Sequence, residues 1–170
     1  MDLRIPDTQP SDEERDALDR CIGGGGISEG WQRELGGVQR TQSLRHLLLP
    51  ALHALVDRVG FVSDGGLAEV CRRLEVPPAE AYGVATFYSM LPVEPVAPTT
   101  VYRCEDLACM RRPTSNGEVL DGTRVVDAPC LGLCEQAPAA LVVRSGPSVR
   151  HEVLSSPPDR KSTRLNSSHT

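Results

Sequence analysis

The chain reads as an α+β protein: a helical N-terminal part followed by a small module of short strands. Three observations carry that reading. Apolar residues recur with a helical period through the first half. Short runs rich in β-branched residues take over after Pro92. Four of the six cysteines fall in two close pairs among those runs.

The length of 170 residues holds one compact domain or two small ones. A hydrophobic fraction of 39%, with one Trp, three Tyr and two Phe, leaves little material for a large core. The formal charge of −5 argues against a general binder of nucleic acid or of membrane surfaces, since both need a basic field. No apolar run approaches the length that spans a bilayer. The opening MDLRIPDTQPSDEERDALDR is charged and has no apolar signal core. The expectation is a cytoplasmic protein with no nucleic-acid partner and no direct membrane insertion. In that compartment cysteines stay reduced, so metal binding or redox chemistry is a better account of them than structural disulfides.

The elements follow in order. Ser11-Asp-Glu-Glu14 has the form of a capping box and predicts a short helix over 11–21. The glycines at 23–26 and at 36–37 break regular structure, so 22–40 is expected to be a loop. Leu44, Leu47, Leu48, Leu52, Leu55 and Val59 share one helical face that ends near Gly60. Pro50 should start, kink or break that helix. Asp64 is placed to cap a second helix bearing Leu67, Val70, Cys71 and Leu74. Pro77-Pro78 closes it and opens a third, PAEAYGVATFYSM, with Pro78 near the first helical position. Three short helices suggest a small bundle. PVEPVAP is a stiff connection. TTVYRC and TRVVDA read as strands, and ALVVR and VRHEVL as a hairpin across SGP.

This divides the chain into a poorly ordered segment with one short helix (1–40), a helical region (41–92), an α+β module (93–158) and a tail (159–170). The tail differs in composition, because Lys161 is the only lysine of the chain. DRKSTRLNSSH reads as the in-frame translation of a sequencing adapter, with a polar disordered tail as the alternative. On the first reading the natural chain continues beyond Pro158. The module is too small to rest on its apolar core alone, and a bound group would help to stabilise it.

The cysteine spacing is Cys104-x4-Cys109, then Cys130-x3-Cys134, and each pair follows an expected strand. Loops at strand ends can direct several side chains to one point. A [2Fe–2S] cluster asks for two thiolates on each of two irons, which two close pairs can supply. Pro129 stiffens the second loop, and Gly132 permits close approach or a positive φ. Glu105, Asp106 and Glu135 stand beside these cysteines and should oppose an added electron. A zinc-binding interaction module with four cysteine ligands and no redox activity is the competing reading, since four thiolates also make a tetrahedral site. A thiol–disulfide enzyme is less apt, because no C-x-x-C is present. Cys71 reads as a small core residue, Cys21 lacks a paired neighbour, and His46 and His53 read as helix-surface or packing residues.

Cys-x4-Cys followed by PCLGLCEQAPA resembles the thioredoxin-like [2Fe–2S] ferredoxins that form the E subunit of NADH-quinone oxidoreductase (complex I). Relatives include the gamma subunit of NAD-dependent formate dehydrogenases and NAD-reducing hydrogenases. LLLPALHALVDRVGFVSDGGLAEVCRRLEVPPAEAYGVATFYSM is similar to the family's N-terminal helical region, including its YGVATFY signature. The resemblance runs from about Leu47 to Val143. It implies a thioredoxin-like module holding one [2Fe–2S] cluster on Cys104, Cys109, Cys130 and Cys134. It also implies a partner flavoprotein carrying FMN and NAD(H), so that the chain is a non-autonomous subunit of an oxidoreductase, peripheral at the cytoplasmic face of the membrane. No G-x-G-x-x-G follows a strand here, and FMN and NAD(H) are expected on the partner only. The resemblance implies a subunit-contact role for YGVATFY, beside its plain reading as bundle packing. The family usually places a full helix between the cysteine pairs, whereas RRPTSNGEVLDG is short and broken by Pro113 and Gly117.

Overall fold

The computed structural model describes residues 8–22, 44–112 and 122–155. The expectations for the 22–40 loop beyond Ile22, for the segment 113–121 between the cysteine pairs, and for the tail lie outside these residues. Two compact units emerge, one ending at Pro95 and the other beginning at Val96.

In the first unit, α1 (Asp12–Ile22) starts as the capping box requires. The Glu14 amide donates to Ser11 Oγ at 3.2 Å, and the Ser11 amide donates to Glu14 Oε2 at 2.7 Å. Glu14 does more than cap. It is buried, and its other oxygen accepts from the Ser63 hydroxyl, tying α1 to the start of a distant helix. A 3-10 turn at Arg45–Leu47 leads into α2 (Leu48–Val59), where Pro50 sits in the first turn and sacrifices no helical hydrogen bond. Gly60, at φ 93°, closes α2 in the left-handed conformation.

Next comes α3 (Asp64–Leu74), and here the structure corrects the sequence reading by one residue. Ser63, not Asp64, is the cap, accepting from the Gly66 amide at 2.9 Å. The first turn of α3 needs glycine for close approach. A Cβ at Gly65 would lie 2.6 Å from the Gln9 carbonyl oxygen, and one at Gly66 would lie 2.9 Å from Glu14 Oε1. Then α4 (Pro78–Phe87) opens with proline and ends before the YSM of the expected stretch.

Leu18 from α1, Leu48, Leu52 and Leu55 from α2, Val70 and Leu74 from α3, and Ala81 and Ala85 from α4 close the core of this unit. Cys71 belongs to the same core, as its helical position suggested, and burial pushes its thiol pKa up. Within YGVATFY the packing reading holds for part of the motif. Ala85 packs inward, while Phe87 is 77% exposed and stacks edge-to-face on the exposed Tyr88. Core packing therefore does not account for these two rings.

Glu69 is buried on α3 between two guanidinium groups. Arg72 Nε and Arg73 Nε donate to it at 2.9 and 2.7 Å, and Arg73 also pairs with Asp19 of α1. The hydrogen bond from Arg72, with help from Arg73 and against the effect of burial, holds the Glu69 pKa below its ordinary value of 4.5. A depressed carboxylate contributes stability that is present above its unfolded value and lost as pH falls through the folded one. Acid melts should therefore show the helical unit weakening below about pH 4.5. Glu69→Gln should flatten that dependence and lower stability at pH 7 by about 1–3 kcal/mol. Parent-like melts of Glu69→Gln at both pH values would contradict this account.

Among its described residues the second unit forms a four-stranded mixed sheet in the order β2-β1-β3-β4. Its strands are β1 (Thr99–Cys104), β2 (Thr123–Ala128), β3 (Ala140–Arg144) and β4 (Arg150–Leu154). All four match the runs read from sequence. β1 and β2 are parallel, with Cys104 opposite Ala128, while β3 is antiparallel to both β1 and β4. A parallel pair needs a crossover connection, and this one contains α5 (Leu107–Met110), a single turn not foreseen from the sequence. Val101, Ala140 and Val142 form a small apolar cluster on the sheet. No helix among the described residues is long and apolar enough to cross a membrane.

Candidate metal centre

Parallel pairing puts the C-terminal ends of β1 and β2 side by side at one end of the sheet. Cys104 is the last residue of β1, and Pro129-Cys130 directly follows the last residue of β2. β3, running the other way, begins at the same end. The segment 129–139 therefore passes over the loop that carries Cys109. Two backbone bonds hold the junction. The Cys104 amide donates to the Ala139 carbonyl at 3.0 Å, and the Glu105 amide donates to the Ala128 carbonyl at 2.9 Å.

Asp106 shapes the first loop. Its carboxylate accepts from the Leu107 amide at 2.6 Å, while its carbonyl accepts from the Cys109 and Met110 amides at 2.9 Å each. That single turn points Cys109 inward and leaves Leu107 and Met110 exposed. In the second loop Gly132 adopts φ 72°, the second of the two uses read for it from sequence. A 3-10 turn over Cys134–Gln136 and a cis Ala137–Pro138 bond return the chain to β3.

The four thiols stand as two pairs. Cys104 and Cys109 are 8% and 4% exposed and share an apolar cradle with Ala139, Leu131, Leu133 and Ala137. Cys130 and Cys134 are exposed. Backbone amides are aimed at the sulfurs. Burial opposes ionisation of Cys104, but hydrogen bonds from the Asp106 and Leu131 backbone, joined by the Cys109 thiol, bring its pKa below the usual thiol value. Leu131 lies in the other cysteine loop, so this contact ties the two loops together. At Cys109 burial, together with the neighbouring Cys104 and Cys134, pushes the pKa up against a hydrogen bond from the Ala139 backbone. At Cys130 the Gly132 backbone favours the thiolate, but Asp106, slight desolvation and Cys134 together raise the pKa.

Neighbouring sulfurs thus influence one another within and across the pairs, and the second pair is linked to the first through Cys134 and Asp106. A [2Fe–2S] cluster asks for two soft thiolates on each of two irons. Donor chemistry, pairing and sulfur-directed amides all fit the cluster. Of the other cysteines, Cys21 is half-buried on α1 and Cys71 lies in the helical core, both in the first unit.

Several contributors to this centre escape a reading of the sequence. The Leu131 and Ala139 amides leave no residue signature, since any residue type but proline provides them. Asp106 reads as a charge beside a ligand, although an aspartate directly ahead of an apolar turn is also a capping signal. The Arg103–Asp127 pair at the foot of the two loops has no local signature at all.

The model of the thioredoxin-like [2Fe–2S] ferredoxin family matches residues 37–121, half of the chain. That span includes Cys104 and Cys109 and stops before Cys130. Three curated relatives are each named as the E subunit of NADH-quinone oxidoreductase. The protein from Buchnera aphidicola is 25% identical over 116 residues, covering 59% of this chain and 72% of that one. The protein from Pseudomonas aeruginosa is 28% identical over 109 residues, covering 55% and 66%. The protein from Aquifex aeolicus is 28% identical over 113 residues, covering 58% and 71%.

Proposed function

The chain belongs to the thioredoxin-like [2Fe–2S] ferredoxin family, and we propose that it is the electron-transfer subunit of an NAD(H)-linked oxidoreductase, exchanging electrons with flavin on a partner subunit. One observation carries the reading: the parallel β1–β2 pair brings two cysteine pairs to one end of the sheet, where backbone amides point at the Cys104, Cys109 and Cys130 sulfurs.

On this reading Cys104 and Cys109, in the apolar cradle, and Cys130 and Cys134, at the surface, would together hold the cluster. When bound, the cluster supplies storage for one electron. The protein's part is to fix the thiolates, to offset negative charge with the Asp106, Leu131, Gly132 and Ala139 amides, and to keep water from the inner pair. The Asp106 carboxylate, beside both loops, acts in the opposite electrostatic sense. The exposed Phe87–Tyr88 pair is offered to a partner chain. FMN and NAD(H) belong to that partner, and the relatives' shared name favours NADH oxidation within a quinone-reducing complex. A formate dehydrogenase or hydrogenase setting is the alternative parent.

The cluster-loaded chain alone should be bleached by dithionite but not by NADH. Adding the NADH-oxidising flavoprotein from a complex of the relatives' kind should make NADH bleach it, because a flavin converts a two-electron donor into single-electron steps. Reduction by NADH without any flavoprotein would refute the proposal, as would failure of dithionite to reduce the chain.

A further inference from the structure

Arg103 immediately precedes the first cysteine of the centre, and Asp127 lies three residues before the third. The strand register places them opposite each other, one step before the Cys104–Ala128 rung at which both ligand loops depart. Arg103 is buried, and its Nε donates to Asp127 Oδ1 at 2.8 Å while Nη2 donates to the same oxygen. Strand alternation puts the Arg103 side chain on the face opposite Cys104, so the pair is not a ligand and does not touch the thiols.

We propose that the Arg103–Asp127 ion pair is a positioning clamp that sets the separation of the two cysteine loops and balances charge beneath the cluster. The inference rests on the four-cysteine assignment above. Its physical basis is local. Among the described residues β2 is an edge strand, joined to the sheet only through β1. At the last rungs before the loops, backbone pairing fixes the approach of the strands but leaves them free to fray. A planar guanidinium using two nitrogens on one carboxylate restrains that end in both distance and angle. The charges also matter separately. Removing the carboxylate's negative charge would favour the more negative, reduced form, and removing the guanidinium's positive charge would disfavour it.

The test uses the full chain loaded with its cluster, challenged with an iron chelator and titrated for its reduction midpoint. Asp127→Asn keeps an oxygen acceptor at the half-exposed position but removes the charge. It should speed cluster loss roughly tenfold, the scale seen when a ligand's supporting partner is removed, and raise the midpoint. Arg103→Gln should also speed loss but lower the midpoint, while Arg103→Lys should restore the midpoint and recover only part of the retention. A merely structural pair would lower the melting temperature without moving the midpoint in opposite directions. Parent-like loss rates and midpoints in Asp127→Asn and Arg103→Gln would overturn the proposal. If Arg103→Gln fails to fold, Asp127→Asn decides alone. A chain that keeps its cluster after Cys104→Ser would instead overturn the ligand assignment, a separable outcome.

Discussion

Cys104→Ser, Cys109→Ser, Cys130→Ser and Cys134→Ser will each abolish or strongly shift the visible spectrum of the iron-loaded chain. Serine presents a hard oxygen, with a high pKa, where a soft thiolate is wanted. The loss should exceed the roughly 10- to 100-fold drop that follows from removing only a hydrogen-bond partner of a ligand. The four will not be equal. Cys104 and Cys109 lie in an apolar cradle with Ala139 and Leu131, where a hydroxyl would be poorly solvated. Their variants should be colourless. Cys130 and Cys134 are open to solvent, and their variants should keep a weaker, spectrally altered centre. Cys21→Ser and Cys71→Ala are the controls, and iron and acid-labile sulfide per chain should stay at the parent level in both. Bleaching by either control, together with an unaltered spectrum in any of the four, would refute the assignment.

The candidate ligand set is legible in sequence because thiols are rare and their spacing is local: each pair sits in one loop, and each loop follows a run with strand composition. The α+β class and all four strands are legible for the same reason, as TTVYRC, TRVVDA, ALVVR and VRHEVL are short, carry β-branched residues and are bounded by turn residues. The pairing of those strands is not. Nothing in TTVYRC says that its parallel neighbour is TRVVDA, and Arg103–Asp127 exists only through that register. Electrostatic partners that are distant in sequence remain hidden until topology is known. Glu14 illustrates the same limit. Its capping role can be read from Ser11-x-x-Glu14, while its bond to Ser63, far along the chain, cannot. The Ser63 cap is masked because Asp64, an equally good capping type, stands next to it. The outward placement of Phe87 and Tyr88 is undecidable from composition, since aromatic residues on a helix usually pack.

Leu55→Ala should lower the stability of the helical unit by about 2–5 kcal/mol, a large share of the roughly 5–15 kcal/mol that a whole domain has. Leu55 is fully buried in the middle of α2. Its methyl groups lie against the site where a Cβ on Gly66 would fall, so the first turn of α3 packs directly on them. Removing them opens a cavity that α3 cannot easily fill. Sliding α3 inward would disturb the Ser63 hydroxyl bond to Glu14 of α1. A polar contact that holds the helix in place thereby prevents the relaxation that would soften the loss. Leu55→Met, which keeps most of the volume, should lose less than about 1.5 kcal/mol. The core of the sheet unit is drawn from other residues, Val101, Ala140 and Val142, with a separate cradle around the inner cysteines. Below the melting temperature the electron paramagnetic resonance of the reduced cluster should therefore be the same in Leu55→Ala as in the parent, even as far-ultraviolet melts move. A parent-like melt would show that α2 and α3 do not meet at Leu55, and an altered resonance in the folded variant would show that the helical core reaches the metal centre.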